Sequence, residues 1–246
     1  MFTPDEEQQI KDVEQRCIHA LFEDDGLFEQ STLLFESIST NAELVALGCI
    51  KRCRDIFIAL SHMKKYSDQQ IESGDSPILP NPVTDIGLRS CLETVALGWY
   101  IMKYPDRALT LIKNDWDYRQ DYVNRFHLEK EKVEFNYVDP VSLYRGDENV
   151  ALTPENLIGL KGLSSTYDMI VELGTDLGTK ASAQTYKILC TYAAHPTFSS
   201  INPYMGPGPE YVYPRIDETS ADFFRINLYG FTVELLKKLV DHLNAK

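Results

Sequence analysis

Apolar residues recur along most of the chain at the three- and four-residue spacing of an amphipathic α-helix, and no segment alternates as a strand does. Thr3-Pro4-Asp5-Glu6 combines a capping box with a proline at the first helical position. It predicts a helix that runs to about Phe22. Thr40-Asn41-Ala42-Glu43 is a second capping box and predicts a helix over about 42–65.

Later segments continue the helical pattern. Further helices are predicted over 27–38, 84–103, 106–132, 165–173, 180–194 and 219–243, with a short one beginning at Thr153. Together these elements predict an all-α fold, a single helical bundle-like domain. We expect residues 1–40 to form an N-terminal helical appendage to a core formed by residues 42–246.

Proline and glycine interrupt the helical pattern in three places. The segments 67–84 and 133–152 are predicted to be irregular, and 197–216 is a long loop rich in proline and tyrosine. Loops of that length usually have a function. Tyrosine provides a large, rigid contact surface with a polar tip, so the segment 197–216 is a candidate docking site for a protein partner.

Charge and cysteine content narrow the possible functions. The chain of 246 residues has a net charge of -13, which disfavours a broad RNA-binding surface and an anionic membrane as a partner.

The five cysteines include no CxxC pair, so we expect free thiols in a reducing compartment and a cytoplasmic protein. There is neither a signal-peptide pattern nor an apolar run long enough for a membrane span. We expect no cofactor and no metal.

The helix predicted after residue 84 contains an unusual pair of charges. Between residues 86 and 102 the only charged residues are Arg89 and Glu93, which are four apart and therefore share a helix face. A helix that is apolar nearly all round belongs at the centre of a fold, where burying a charge is costly. The pair is either a structural clasp or the lining of a pocket, in which arginine would grip an anion. Tyr100 lies seven residues beyond Glu93, on nearly the same face.

A second candidate group lies around residue 190. Tyr186, Thr191 and His195 occupy the end of a predicted helix that Pro196 stops. Thr191 and His195 are four residues apart, and the helix C-terminus favours the cationic form of the imidazole. His195 is either a proton-transfer group or simply a cap or core residue.

These two groups resemble the motifs of a bacterial helical family known mainly as a domain of unknown function. Arg89 and Glu93 match its Arg-x-x-x-Glu helix, and Thr191 with His195-Pro196 matches its later hydroxyl-to-histidine element, with threonine in place of the expected serine. The resemblance spans about Ala42 to the C-terminus. Such proteins are compared with the HEPN superfamily, helical nucleases of phage-defence and toxin systems.

The resemblance implies an RNA-cleaving site. Its catalytic residues would be Arg89, Glu93 and His195, with His195 as the general base on a ribose hydroxyl and Arg89 stabilising the phosphate. Its substrate-binding residues would be Thr191, Tyr100 and Tyr186. The HEPN signature places arginine four to six residues before histidine. This chain has no such pair, so the site would have to be assembled across helices.

Other functions remain open at this stage. The chain has no P-loop, no G-x-S-x-G elbow and no HExxH motif, which excludes the usual NTPases, α/β-hydrolases and zincins. A non-catalytic module that docks a protein through residues 197–216, and a sensor that binds a small anion at Arg89, are the alternatives to a nuclease. Homo-oligomerisation is compatible with each.

Overall fold

The computed structural model describes residues 3–72, 82–125, 135–147, 150–190 and 218–246. Within these ranges the chain is helical, with connecting turns and no strand; the one β-type pairing is an isolated bridge between Val138 and Ala151. The all-α prediction is confirmed. The segment 197–216, for which a docking loop was predicted, lies outside the described ranges.

The described residues form helices along most of their length. These helices are α1 (Pro4–Phe22), α2 (Leu27–Gln30), α3 (Thr32–Phe35), α4 (Asn41–Glu72), α5 (Pro82–Lys103), α6 (Thr110–Arg125), α7 (Pro140–Arg145), α8 (Thr166–Asp176), α9 (Ala181–Leu189) and α10 (Glu218–Asn244). Two 3₁₀ turns, Pro105–Arg107 and Pro154–Leu157, precede α6 and α8.

Both capping boxes form as their sequences predict. At α1 the Glu6 amide donates to Thr3 Oγ1 over 3.3 Å, and the Thr3 amide donates to Glu6 Oε2 over 2.7 Å. At α4 the Glu43 amide donates to Thr40 Oγ1 over 3.3 Å, and the Thr40 amide donates to Glu43 Oε2 over 3.2 Å. Each box satisfies amides that the first helical turn leaves without partners.

Several predicted boundaries are wrong. Helix α4 continues to Glu72 instead of ending near residue 65, because no glycine or proline follows residue 65 until Gly74. The predicted helix over 27–38 is divided at Ser31, whose hydroxyl donates to the Phe28 carbonyl over 2.8 Å. The predicted irregular segment 133–152 contains α7, which Asp139 caps by accepting the Ser142 amide over 3.1 Å.

Helix α5 occupies the centre of the fold. It packs against α4, α8, α9 and α10, and Leu92, Val95 and Ile101 on it are fully buried. The prediction that this helix is central is confirmed. Residues before position 40 contribute to the same hydrophobic core, with Leu21 on α1 and Phe35 on α3 among its buried members.

The cysteines are free thiols, as their pattern predicts. Four are buried, at positions Cys17, Cys49, Cys53 and Cys91, and Cys190 is half-buried. Burial raises the pKa of Cys49 to about 12, which keeps this thiol protonated and unreactive at neutral pH. Among the helices described, none combines the length and the apolarity needed to cross a bilayer.

Candidate functional site

Arg89 and Glu93 form an ion pair on α5. Arg89 Nε lies 2.8 Å from Glu93 Oε1, one helical turn away. The Arg89 side chain is 28% exposed and the Glu93 side chain 34%, so the prediction that both ions are buried is wrong. Because this pair retains contact with solvent, it carries only part of the desolvation cost of a fully buried pair.

Helix α9 covers the pair only in part, through Tyr186. The Tyr186 hydroxyl donates to Glu93 Oε1 over 3.3 Å. The guanidinium carbon of Arg89 lies 5.6 Å from the centre of the Tyr186 ring, within the range of a cation–π interaction. We call Arg89, Glu93 and Tyr186 the Arg89 cluster. Two of its members come from α5 and the third from a helix more than 90 residues later in the chain.

The surroundings keep Arg89 charged and Tyr186 neutral at neutral pH. Partial burial lowers the pKa of Arg89, but the attraction of Glu93 and the Tyr186 hydroxyl outweigh it and leave the pKa above its ordinary value. Burial, and then the neighbouring Cys190 thiol, raise the pKa of Tyr186. The cluster therefore presents a permanent cation beside a neutral phenol.

The Arg89 guanidinium carries five N–H donors. Among the described residues, Glu93 engages the donor at Nε, and the Tyr186 hydroxyl also bonds the guanidinium. The fork formed by the terminal nitrogens suits a carboxylate or a phosphate, since both have oxygens at matching spacing. Glu93 and Tyr186 restrict the orientation of this fork, so that an anion would meet a preorganised donor set.

Cys190 adjoins the Arg89 cluster, although it was not among the predicted site residues. It follows α9 directly, and its thiol lies beside the Tyr186 hydroxyl, one turn earlier. Its four-residue spacing from Tyr186 was a usable signal, because residues at that spacing meet on a helix face. What the sequence could not show is that this face of α9 lies against Arg89.

Tyr100 lies apart from the Arg89 cluster. It is seven residues beyond Glu93, about 10 Å along the helix axis. Its side chain is buried; its hydroxyl accepts a hydrogen bond from Ser164 Oγ over 3.2 Å, and its ring packs on Tyr104 with centroids 4.8 Å apart. Tyr100 thus lies about two helical turns from Glu93, and its part in substrate binding stays a prediction.

A second polar network lies at the C-terminal end of α5. Lys103 pairs with Glu172 over 2.7 Å and with Asp176 over 3.0 Å, both on α8. The Trp99 indole N–H donates to Asp176 Oδ2 over 2.9 Å, and the Lys238 ammonium of α10 lies 3.9 Å from the centre of the Trp99 ring. The network therefore contains two lysines and two carboxylates, and its contacts connect α5 with α8 and α10.

Thr191 and His195 lie outside the described residues.

No family model, characterised protein or solved structure matches this chain. The resemblance to a bacterial helical family thus stays an expectation from the motifs.

Proposed function

We propose that the protein cleaves RNA at its phosphodiester bonds, with Arg89 holding the reacting phosphate and His195 as the general base. The observation that supports this proposal is the Arg89 cluster: a partly exposed guanidinium, oriented by a carboxylate and an aromatic ring, near the start of the segment that contains His195. Preorganised donors of this kind are what a developing negative charge on phosphate requires.

The proposed reaction needs no metal. The ribose 2′-oxygen forms a bond to phosphorus, and the bond from phosphorus to the 5′-oxygen breaks. His195 takes the proton from the 2′-hydroxyl, and the departing 5′-oxygen takes a proton from solvent. The products are a 2′,3′-cyclic phosphate and a 5′-hydroxyl.

Each remaining member of the proposed site has a distinct role. Glu93 is a positioning residue, because it acts on the substrate through Arg89. Tyr186 restricts the guanidinium and presents a ring edge to the substrate, and the Thr191 hydroxyl is a further donor to phosphate. Tyr100 has no part in the proposal. It lies about two helical turns from Glu93, and its hydroxyl accepts a hydrogen bond from Ser164.

The acidic character of the chain limits the substrate. A net charge of -13 disfavours the neutralisation of a long run of phosphates. We therefore expect it to contact only one or two phosphates, and we expect the logarithm of its RNA affinity to fall with a slope of about -1 to -2 against the logarithm of salt concentration.

Cleavage of a labelled RNA oligonucleotide tests the proposal. We expect Arg89→Ala and His195→Ala each to lower the rate by about 100-fold or more. Arg119→Ala is the matched control, because Arg119 also pairs with a carboxylate one turn away, Asp115 at 2.9 Å, and also stacks on a tyrosine, Tyr137 at 5.5 Å. It should leave the rate unchanged. Absence of cleavage by the wild type, or equal loss in Arg119→Ala, overturns the proposal.

A second candidate function, binding of a small anionic ligand, is favoured by the limited exposure of the Arg89 side chain, 28%. Limited access to the guanidinium suits a single phosphate or carboxylate better than a polymer. Thermal denaturation with inorganic phosphate and with nucleoside monophosphates separates the two candidates, since a ligand of the folded state raises Tm. A rise that Arg89→Ala abolishes, without any RNA cleavage, supports the sensor; no rise with any of these ligands removes it.

A further inference from the structure

Three side chains with metal-binding atoms converge at the C-terminal end of α1. His19 Nδ1 lies 2.7 Å from Glu23 Oε2 and 3.8 Å from Asp25 Oδ1. All three atoms lie within 4.8 Å of one another. We propose that His19, Glu23 and Asp25 form a binding site for a divalent transition-metal ion such as Zn²⁺.

The separations between the three atoms fit coordination of one ion. Zinc binds imidazole nitrogen and carboxylate oxygen at about 2.0–2.2 Å, so two ligands of a tetrahedral ion lie about 3.4 Å apart. The two observed distances fall on either side of that value. Small rotations of the exposed Glu23 and Asp25 side chains are enough to place all three atoms around a single ion.

The donor set favours a transition metal over Mg²⁺ or Ca²⁺. One imidazole nitrogen and two carboxylate oxygens suit zinc and its neighbours, whereas magnesium and calcium prefer oxygen ligands alone. The imidazole also distinguishes this group from an ordinary patch of acidic residues, because it provides a directed nitrogen ligand between the two carboxylates.

The backbone around the site holds the ligands together before any ion binds. The Glu23 amide donates to the His19 carbonyl over 3.3 Å, and the Gly26 amide donates to the Glu23 carbonyl over 2.9 Å. A Cβ atom at Gly26 would lie 2.0 Å from the His19 carbonyl oxygen, so the turn is folded tightly against the helix end. The Gln30 side chain donates to the Asp25 carbonyl and fixes the far side of the turn.

The helix end adds to the attraction for a cation. The last carbonyls of α1 give its C-terminus a partial negative charge, and two carboxylates lie beside it. Asp25 lies beyond hydrogen-bond distance of the imidazole, so the His19–Glu23 pair alone does not account for its position. Each side chain is at least 48% exposed, and water would complete the coordination of an exchangeable ion.

The proposed metal site is independent of the proposed RNA cleavage. Its ligands lie on α1 and in the turn that follows, whereas Arg89 lies on α5. The proposed cleavage uses no metal, so either proposal can fail without the other.

Calorimetric titration of the full chain with zinc chloride at about pH 8, above the ordinary pKa of an imidazole, tests the site. We expect one Zn²⁺ per chain in the wild type. We expect His19→Ala and Asp25→Asn each to weaken binding about tenfold or more. All three ligand side chains are exposed, so neither substitution should prevent folding, and circular dichroism checks this. Magnesium chloride should give no binding at this site.

Two variants serve as controls. His62→Ala removes another exposed histidine, on α4, and Cys190→Ser removes the half-buried thiol. Both should bind zinc as the wild type does. The proposal is overturned if the wild type binds no zinc, if His19→Ala binds as tightly as the wild type, or if either control variant loses the ion.

Discussion

Arg89 Nε lies 2.8 Å from Glu93 Oε1 on the central helix, yet about a third of each side chain remains exposed to solvent. This ion pair is neither fully buried in the core nor a fully exposed surface salt bridge. It stays accessible to a ligand, while Tyr186 of α9 restricts its geometry. This combination is the reason for assigning the site to Arg89 and not to the fully paired network around Lys103.

Partial exposure predicts that the ion pair contributes little to stability. We expect Arg89→Ala and Glu93→Gln each to lower the free energy of unfolding by about 1 kcal/mol or less, the range of solvent-exposed pairs. Urea denaturation measures this value. A loss of about 3 kcal/mol or more in either variant would identify the pair as a structural clasp, with its partner left unpaired.

Tyr186→Phe separates the two contacts made by that side chain. The substitution keeps the ring beside Arg89 and removes the hydroxyl that donates to Glu93. We expect a stability loss of about 0.5–1.5 kcal/mol, the net value of one hydrogen bond, and a lower kcat for RNA cleavage with KM nearly unchanged. Tyr186→Leu, which also removes the ring, should raise KM as well. Equal kinetics in both variants would contradict a role for the ring.

The buried carboxylate of Glu43 predicts acid sensitivity of the fold. Its side chain is 1% exposed, and it accepts hydrogen bonds from the Ser39 amide over 2.9 Å, from His242 over 2.9 Å and from Lys246 over 2.6 Å. Burial raises the pKa of Glu43, but the hydrogen bonds outweigh it and leave the pKa below its ordinary value. The contribution to stability is therefore present above about pH 4.3 and is lost as the pH falls through the lowered pKa.

Glu43→Gln should remove that contribution. We expect a loss of about 1–3 kcal/mol at pH 7, the value of hydrogen bonds to a charged group, and a smaller loss near pH 3. Glu6→Gln is the matched control, because Glu6 occupies the same position in the exposed capping box of α1. It should cost less than Glu43→Gln at pH 7. Similar losses in the two variants would show that capping, and not the link to α10, accounts for the effect.

Asp85 lies in the first turn of α5, and its effect on the free energy of unfolding should depend on pH in the opposite direction. Burial raises the pKa of Asp85 to about 6, so its ionisation costs stability as the pH rises from about 4 through 6. We expect Asp85→Asn to increase the free energy of unfolding by about 1–3 kcal/mol at pH 7, and by less at pH 4. Denaturation at the two pH values measures the difference. A variant less stable than the wild type at pH 7 would contradict the prediction.

Two helical glycines should respond to alanine in opposite ways. A Cβ at Gly48 meets nothing within 4 Å, so Gly48→Ala should stabilise the protein by about 0.5–1 kcal/mol through helix propensity. A Cβ at Gly174 would lie 2.2 Å from Ser182 Oγ and 2.6 Å from the Thr179 carbonyl oxygen. Gly174→Ala should therefore destabilise by about 1–3 kcal/mol, because α8 and α9 must separate. Thermal denaturation of the two variants tests the sign of each change.

The sequence predicted the local features of the fold well and the candidate site only in part. Thr3 and Thr40 cap their helices because a capping box is a contact within four consecutive residues. Arg89 and Glu93 pair for the same reason, one turn apart on a single helix. The extent to which solvent reaches that pair depends on α9, and no local pattern specifies how far a distant helix extends over it.

By itself, therefore, the sequence determined that the fold is all-α, which helix lies at its centre, and which two charges share the face of that helix. The tertiary structure alone decided that Tyr186 joins that pair, that Tyr100 lies elsewhere with Ser164, and that Asp25 folds back towards His19. The physical reason is the distance along the chain over which each kind of interaction acts. Helical hydrogen bonds and caps act over three or four residues, whereas contacts between helices depend on how many side chains pack at once.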